Sequence, residues 1–126
     1  MTDEFQLIRE TDIVYIAGKM SGMPMFNYPA FYGLAGIIEK EFRCEVLNPA
    51  RQPNGLDYEE YMRRAMADLD RATVIVLLDS WQQSPGAKRE FQRAFQRRIG
   101  ILYQSQVESA VAAKLKRENP NINMEG

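Results

Sequence analysis

The chain contains no histidine and only one cysteine, Cys44, among its 126 residues. The missing histidine excludes Ser-His-Asp and Cys-His catalysis, and with them the usual zinc hydrolase sites. A single cysteine excludes an internal disulfide and a multi-cysteine zinc site. Cys44 itself, in "RCEVLNP", is better explained as a small core residue than as a nucleophile. Any catalysis must therefore use carboxylates, tyrosine, lysine, serine or backbone dipoles.

The sequence also lacks a long apolar run and a large net charge. No apolar stretch is long enough to span a bilayer. The first ten residues, "MTDEFQLIRE", are too acidic and polar for a signal peptide, so we expect a cytoplasmic protein. A formal net charge of -1 provides no bulk attraction to nucleic acid or to an anionic membrane, and we predict neither as a partner. The basic stretches "RRIG" and "KLKR" are better explained as solvated helix faces.

Apolar runs alternate with segments of helical periodicity along the chain. Strands are predicted in "DIVYIAG", "CEVLNP", "TVIVLL" and "IGILY", because each run is short, apolar and bounded by turn residues. With a helix after each strand, the order predicts a three-layer α/β/α fold. Its flavodoxin-like or Rossmann-like, mostly parallel sheet would have four or five strands. We expect one domain over residues 1–118 and a flexible C-terminal tail over residues 119–126.

The four helices are expected from apolar spacing and from their start signals. The first starts near Tyr28, and its Gly33 and Gly36 would allow close packing on the sheet. The second has Asp57 as its predicted N-cap, with Glu60 completing a capping box. The third begins in "SPG", and the fourth lies in "VESAVAAKLKRE". The inner face of the third helix is predicted to comprise Phe91, Ala94 and Phe95.

Ligands of such folds bind beyond the carboxyl ends of the strands, which selects three loops: residues 18–27, 48–56 and 79–86. The third loop ends in "SPGAKRE", where Ser84 is a good N-cap and Pro85 fits the first helical position. Free amides at Gly86 and Ala87 would then favour an anion at the positive end of the helix dipole. Glu90 lies on the same helix face as Gly86, so its carboxylate could act as a nucleophile or a general acid-base group.

An ordinary helix start with a solvated glutamate is the simpler interpretation of this stretch alone. The loop after the first strand favours a ligand site instead. In "YIAGKMSGM", Gly18 stands at the strand end, where a glycine permits close approach of backbone to a ligand. The spacing of these glycines matches neither a dinucleotide fingerprint nor a P-loop.

Three stretches together resemble the nucleoside 2-deoxyribosyltransferase superfamily. They are "VYIAGKMSGMPMFNYPAF", "EVLNPA" and "YMRRAMADLDRATVIVLLDSWQQSPGAKREFQRA". The chain looks most like an uncharacterised branch, common in phages and prophages, with a "YIAGPMTG" opening and a "GWxxSxGAxxE" signature. The resemblance covers residues 13–103. Its implied activity is cleavage of the N-glycosidic bond of a 2′-deoxynucleoside or its 5′-monophosphate, with transfer of the sugar to another base or to water.

The resemblance also implies residue roles. Glu90 would be the nucleophile, and Tyr15 would assist it. Ser84 and Gly86 would contact the sugar or its 5′ phosphate. The loop that frames the base would be Gly18, Lys19 and Met20. The implied reaction needs no metal or other cofactor, and relatives of this kind imply a homodimer or a higher homo-oligomer.

One element of the resembling pattern is missing. Active relatives carry an acid that protonates the leaving base, and the matching position here is Ala65. Asp68 lies one turn away and is our candidate for a substitute acid, with Asp79 in the third loop as another.

Four further side chains are candidates for ligand contact. Trp81 could stack on a base, although a lid or oligomer contact is an equal alternative. Asn48 could touch the ligand or serve only its turn. Phe26 and Tyr28 could line a base pocket.

Two function classes therefore stay open, with an interaction protein as a third. The chain is either an enzyme acting on deoxynucleosides or deoxynucleotides, or a nucleotide-binding module that kept the pocket and lost the chemistry. Glu90 with Tyr15 favours the enzyme, whereas Ala65 favours the binding module.

Overall fold

A computed structural model describes residues 6–121 of the chain. Its strands are β1 (Ile13–Ala17), β2 (Glu45–Leu47), β3 (Val74–Leu77) and β4 (Gly100–Tyr103). Its α-helices are α1 (Tyr28–Phe42), α2 (Tyr58–Arg71), α3 (Pro85–Arg97) and α4 (Gln104–Glu118). The strands form one parallel sheet in the order β2-β1-β3-β4, so the predicted α/β fold is confirmed with four strands. Residues 122–126 of the predicted tail lie outside the described residues.

Alternation along the central strands divides the core into two layers. Successive strand side chains point to opposite faces of a sheet. Val14 and Ile16 accordingly pack with α1 and α4. Tyr15 and Ala17 pack on the other face, with α2 and α3. This arrangement places Tyr15 on the same side of the sheet as Glu90, which α3 carries.

The strand order creates a crevice at the carboxyl edge of the sheet. From β1 the chain passes through α1 to β2 on one side, and then through α2 to β3 on the other side of β1. Connections that diverge in this way leave a gap above the strand ends, where ligands of open α/β sheets bind. All three predicted ligand loops leave the sheet at this edge.

One predicted detail of α2 and one of α3 were wrong. Asp57 does cap α2, since its Oδ1 accepts the N–H of Glu60 at 2.8 Å. The capping box is incomplete, however, because the Glu60 carboxylate pairs with Arg63 and Arg64. Phe95 is 67% exposed, because the stripe of α3 that meets the sheet runs through other positions. That buried stripe comprises Ala87, Glu90 and Ala94.

Gly18 shows how closely the end of β1 approaches β3. A Cβ added at Gly18 would lie 2.6 Å from Leu78 Cδ1 and 2.9 Å from Leu78 Cβ. Leu78 is fully packed and cannot retreat without moving its neighbours, while its N–H donates to Ala17 O at 2.8 Å. The small residue is thus required where the first ligand loop leaves the sheet.

Gly18→Ala is expected to lower the free energy of unfolding by about 1–3 kcal/mol, the usual cost of overpacking. Urea unfolding monitored by circular dichroism measures this change. Gly33→Ala is the matched control, because a Cβ at Gly33 meets nothing within 4 Å. The same holds for Gly36, so the predicted close packing of these two glycines on the sheet was wrong. The control should stabilise by roughly 0.5–1 kcal/mol; equal effects at the two sites would contradict the packing argument.

None of the helices within residues 6–121 combines the length and the apolar character needed to cross a bilayer.

Candidate active site

A cavity of about 450 Å³ lies at the carboxyl edge of the sheet, above β1 and β3. The loop after β1, the loop after β2, the first turns of α1 and α2, and the start of α3 form its walls. Its lining comprises Gly18, Lys19, Met20, Ser21, Phe26, Tyr28, Pro49, Gln52, Pro53, Asn54, Gly55, Leu56, Tyr58, Tyr61, Gln83, Ser84, Pro85, Gly86, Ala87 and Glu90. Its volume falls in the range typical of small-molecule sites.

The start of α3 has the cap that its sequence predicts. Ser84 is the N-cap, Pro85 occupies the first helical position, and Ser84 Oγ accepts the N–H of Ala87 at 3.1 Å. The predicted pair of free amides is thereby reduced, because the Ala87 N–H already has an acceptor. The N–H of Gly86 has no acceptor within its own helix, as is general for first-turn amides. Because Gly86 lines the cavity, the positive end of the α3 dipole lies at the cavity.

Glu90 is the central group of the cavity. Its side chain is only 2% exposed, yet it lines the cavity one turn beyond Gly86. The hydroxyl of Tyr15 donates a hydrogen bond to Glu90 Oε2. Burial raises the pKa of the Glu90 carboxyl to about 8, although the Tyr15 hydrogen bond and the charge of Arg89 oppose that increase. The prediction of a solvated glutamate is therefore excluded by the structure.

Tyr15 is a positioning residue for this carboxyl. It is fully buried in the core layer under α2 and α3 and does not form part of the cavity lining. Burial, followed by the charge of Glu90, raises the pKa of Tyr15 well above its ordinary value. The phenol therefore stays protonated at neutral pH and holds one carboxyl oxygen in place.

Two aromatic side chains from the end of the loop after β1 and the start of α1 form part of the cavity wall. Phe26 and Tyr28 line it with ring centroids 5.9 Å apart. Phe26 belongs to a left-handed run, Met25 to Asn27, with φ values of 53°, 53° and 60°. Such backbone is costly for residues other than glycine and is concentrated at ligand sites. The Asn27 side chain fixes the run by donating to Lys19 O at 3.0 Å.

Tyr58 and Tyr61, in the first turn of α2, also line the cavity, and sequence reasoning missed both of them. The helical spacing of Tyr61 with Ala65 and Leu69 predicts a core position, but Tyr61 lines the cavity and its hydroxyl donates to Met20 Sδ at 3.7 Å. The available signal was its place in the first turn of a helix that directly follows a predicted ligand loop. Residues in that turn lie at the carboxyl edge, whatever their periodicity.

Asp68, the predicted substitute acid, lies outside the cavity lining. Because α2 runs back from the carboxyl edge, ten residues carry the chain about 15 Å away from Tyr58. The charged neighbours of Asp68 are Arg71 and Glu45, which starts β2 at the opposite edge, and burial raises the pKa of its carboxyl. Ala65 is buried in the core layer that holds Tyr15.

Three other predicted contacts also lie outside the lining. Asn48 is buried and caps the turn after β2, with its Oδ1 accepting the N–H of Ala50 at 3.0 Å. Asp79 is exposed and donates its N–H to Gln104 Oε1 at 3.1 Å, beside α4. Trp81 begins a short 3₁₀ turn that directs its ring onto Phe91, with centroids 4.9 Å apart. The remaining predicted binding residues, Gly18, Lys19, Met20, Ser84 and Gly86, do line the cavity.

The arrangement can support attack on a carbon centre bound in the cavity. A carboxyl group held by a phenol stands at the floor, and a helix start that favours negative charge stands beside it. Within residues 6–121, no group of three or more His, Cys, Asp and Glu side chains is placed to hold a metal ion.

The segment that builds the sheet and the cavity matches a family model over residues 12–103, described as a domain of unknown function (DUF4406). The chain belongs to the DUF4406 family. The DUF4406 match includes all four strands and every residue of the cavity lining, whereas α4 begins just beyond it. No curated protein matches the chain.

Proposed function

We propose that this DUF4406 domain cleaves the N-glycosidic bond of a 2′-deoxynucleoside or its 5′-monophosphate, with Glu90 as the nucleophile. The observation that carries the proposal is the buried Glu90 carboxyl, which is held by Tyr15 and opens onto the cavity. The nucleoside 2-deoxyribosyltransferase resemblance requires this contact between a first-strand tyrosine and the helix glutamate. Glutamate side chains are almost never fully buried unless they are paired. A carboxyl group in a cleft whose pKa is strongly shifted is a candidate for catalysis.

The proposed reaction has two displacement steps. An oxygen of the ionised Glu90 carboxylate bonds to the anomeric carbon while the bond from that carbon to the base breaks. The transition state carries positive charge on the sugar, which favours the ionised form of Glu90 and offsets its raised pKa. Water or a second base then attacks the same carbon and releases the carboxylate, so the configuration is retained.

The cavity offers a place for each part of such a substrate. The sugar would lie over Glu90, and its 5′ side would meet Ser84 and the Gly86 amide. Phe26 and Tyr28 present ring faces on which a planar base can stack. The cytoplasmic location and the homo-oligomer expected from the sequence belong to the same proposal.

A nucleotide-binding module without catalytic activity is the second candidate. Two observations favour it: Ala65 is buried in the core, and Asp68 lies outside the cavity lining. Among residues 6–121, the cavity lining thus offers no acid at the place that the resembling enzymes use. In this alternative the same nucleotides bind, and the glycosidic bond stays intact.

Incubation with a mixed pool of deoxynucleosides and deoxynucleotides, followed by chromatography, distinguishes the two candidates. The enzyme should release free base from at least one member of the pool. Thermal stabilisation by a nucleotide without any base release would establish the binding module instead. Absence of both effects would contradict both candidates.

A further inference from the structure

A base that leaves the sugar carries away the electron pair of the glycosidic bond and needs a proton or a strong hydrogen bond. Glu90 cannot supply it, because the proposed function uses that carboxylate as the nucleophile. Tyr15 is fully buried beneath the carboxyl and absent from the cavity lining. Asp68 lies towards the far end of α2. The other proton-bearing side chains on the described cavity wall are therefore the candidates for the donor.

Four side chains on the described lining carry an ionisable proton besides Glu90: Lys19, Tyr28, Tyr58 and Tyr61. The Tyr28 hydroxyl is already engaged, since it donates to Asn54 Oδ1 at 3.2 Å. Tyr58 is 48% exposed at the rim, with the Arg89 guanidinium 5.4 Å from its ring centroid. Lys19 is half-buried in the loop after β1, and no hydrogen bond among the described residues holds its ammonium group towards Glu90.

Tyr61 differs from these groups in its position and in its present partner. Its hydroxyl donates to the thioether of Met20, a weak acceptor that a bound ligand can replace at little cost. Met20 lies in the loop after β1 and lines the cavity, so the hydroxyl lies at the part of the cavity wall that this loop forms. Tyr61 and Glu90 line the same cavity, so a ligand bound there can contact both groups.

We propose that Tyr61 is a catalytic residue that donates its hydroxyl proton to the departing base. This inference rests on the proposed function and names the group that assists its leaving step. In the first displacement, the electron pair of the glycosidic bond moves to the base, and the Tyr61 proton moves to a ring nitrogen or carbonyl oxygen of that base. In the second, the attacking water returns a proton to the Tyr61 oxygen, and the ester to Glu90 breaks.

Formation of the ester at Glu90 and proton donation by Tyr61 are coupled by the electrostatics of the cavity. Burial and then the charge of Glu90 raise the pKa of Tyr61, so the phenol is protonated before reaction. When Glu90 becomes a neutral ester, its contribution to that pKa disappears. Tyr61 is then a stronger acid at the moment the base departs. These reaction steps need no carboxylate at the position of Ala65.

The test compares substrates that differ only in their need for a proton. The natural set is the four common 2′-deoxynucleosides and their 5′-monophosphates. The activated set is N7-methyl-2′-deoxyguanosine and its 5′-monophosphate, whose base leaves as a neutral molecule without protonation. Tyr61→Phe should lower kcat/KM on the best natural substrate by about 100-fold or more, a typical acid contribution. On the N7-methyl substrate the change should be within about threefold, which also shows that the variant is folded.

Two controls accompany the variant. Tyr32→Phe removes a hydroxyl from an exposed tyrosine of α1 outside the cavity lining, and it should change neither rate. Glu90→Gln measures the spontaneous loss of the methylated base. An equal fall in kcat/KM on both substrates, or no fall on either, would overturn the role of Tyr61 and leave the proposed function standing. Wild-type protein that releases base from no natural substrate would overturn the proposed function and this inference together.

Discussion

Glu90→Gln is expected to lower base release at least about 1,000-fold, because removal of a nucleophile eliminates the covalent step itself. Glutamine keeps the shape of the side chain and can still accept a hydrogen bond from Tyr15, so the cavity should persist. Its amide cannot form the glycosyl ester. The rate of free base formation, followed by chromatography on the best substrate of the pool, gives the ratio.

Glu108→Gln is the matched control for this substitution. Glu108 is exposed on α4, which packs on the face of the sheet opposite α3, and its carboxylate accepts a hydrogen bond from Gln104. The control should retain wild-type activity. Base release by Glu90→Gln within tenfold of the wild-type rate would contradict a nucleophilic role, since residual chemistry would then need another group.

The second large effect is a pH dependence of stability that belongs to the same carboxyl. Its pKa is raised from the ordinary 4.5 to about 8 in the folded protein. Between these values the folded state binds a proton that the unfolded state has lost. The stabilisation from this group is thus complete below pH 4.5 and is lost as the pH rises through about 8. Between pH 4.5 and about 8, the free energy of unfolding falls by up to about 1.4 kcal/mol per pH unit.

Urea unfolding at pH values from 5 to 9 measures this linkage. Relative to Glu90→Gln, which cannot titrate, the wild-type free energy of unfolding should fall between pH 5 and about 8 and level off above pH 8.

Activity should change in the opposite direction, because the nucleophile must be ionised: kcat/KM should rise with pH and reach a plateau above about 8. Parallel stability curves for the two proteins would contradict the burial of a titrating carboxyl at this position.

The fold and the position of Glu90 followed from short-range rules. Alternation along "DIVYIAG" predicts that Tyr15 faces away from Val14 and Ile16, and the family resemblance implied its place beside Glu90. The Ser-Pro start fixed the first turn of α3, and helix geometry then placed Glu90 on the Gly86 face. The hydrogen bond from Tyr15 to Glu90 joins the strand residue and the helix residue that these rules concern.

The composition of the cavity wall depended on geometry that periodicity does not encode. Tyr61 fits a core stripe by spacing, but its place in the first turn of α2 takes it to the carboxyl edge. Asp68 has a suitable side chain, but the reversed direction of α2 takes it away from that edge. Trp81 had base stacking as one of its predicted roles, but a single 3₁₀ turn directs its ring onto Phe91 of α3. Helix direction and short turns, which require the assembled sheet, decided each case.

The most direct measurement is capture of the covalent intermediate. Wild-type protein is mixed with its best substrate, quenched in acid during turnover and digested, and the peptides are mapped by mass spectrometry. The account predicts one deoxyribosyl group on the peptide that contains Glu90, and none on that peptide in Glu90→Gln. Base release at the full rate without any adduct, or an adduct on a different carboxylate, would contradict it.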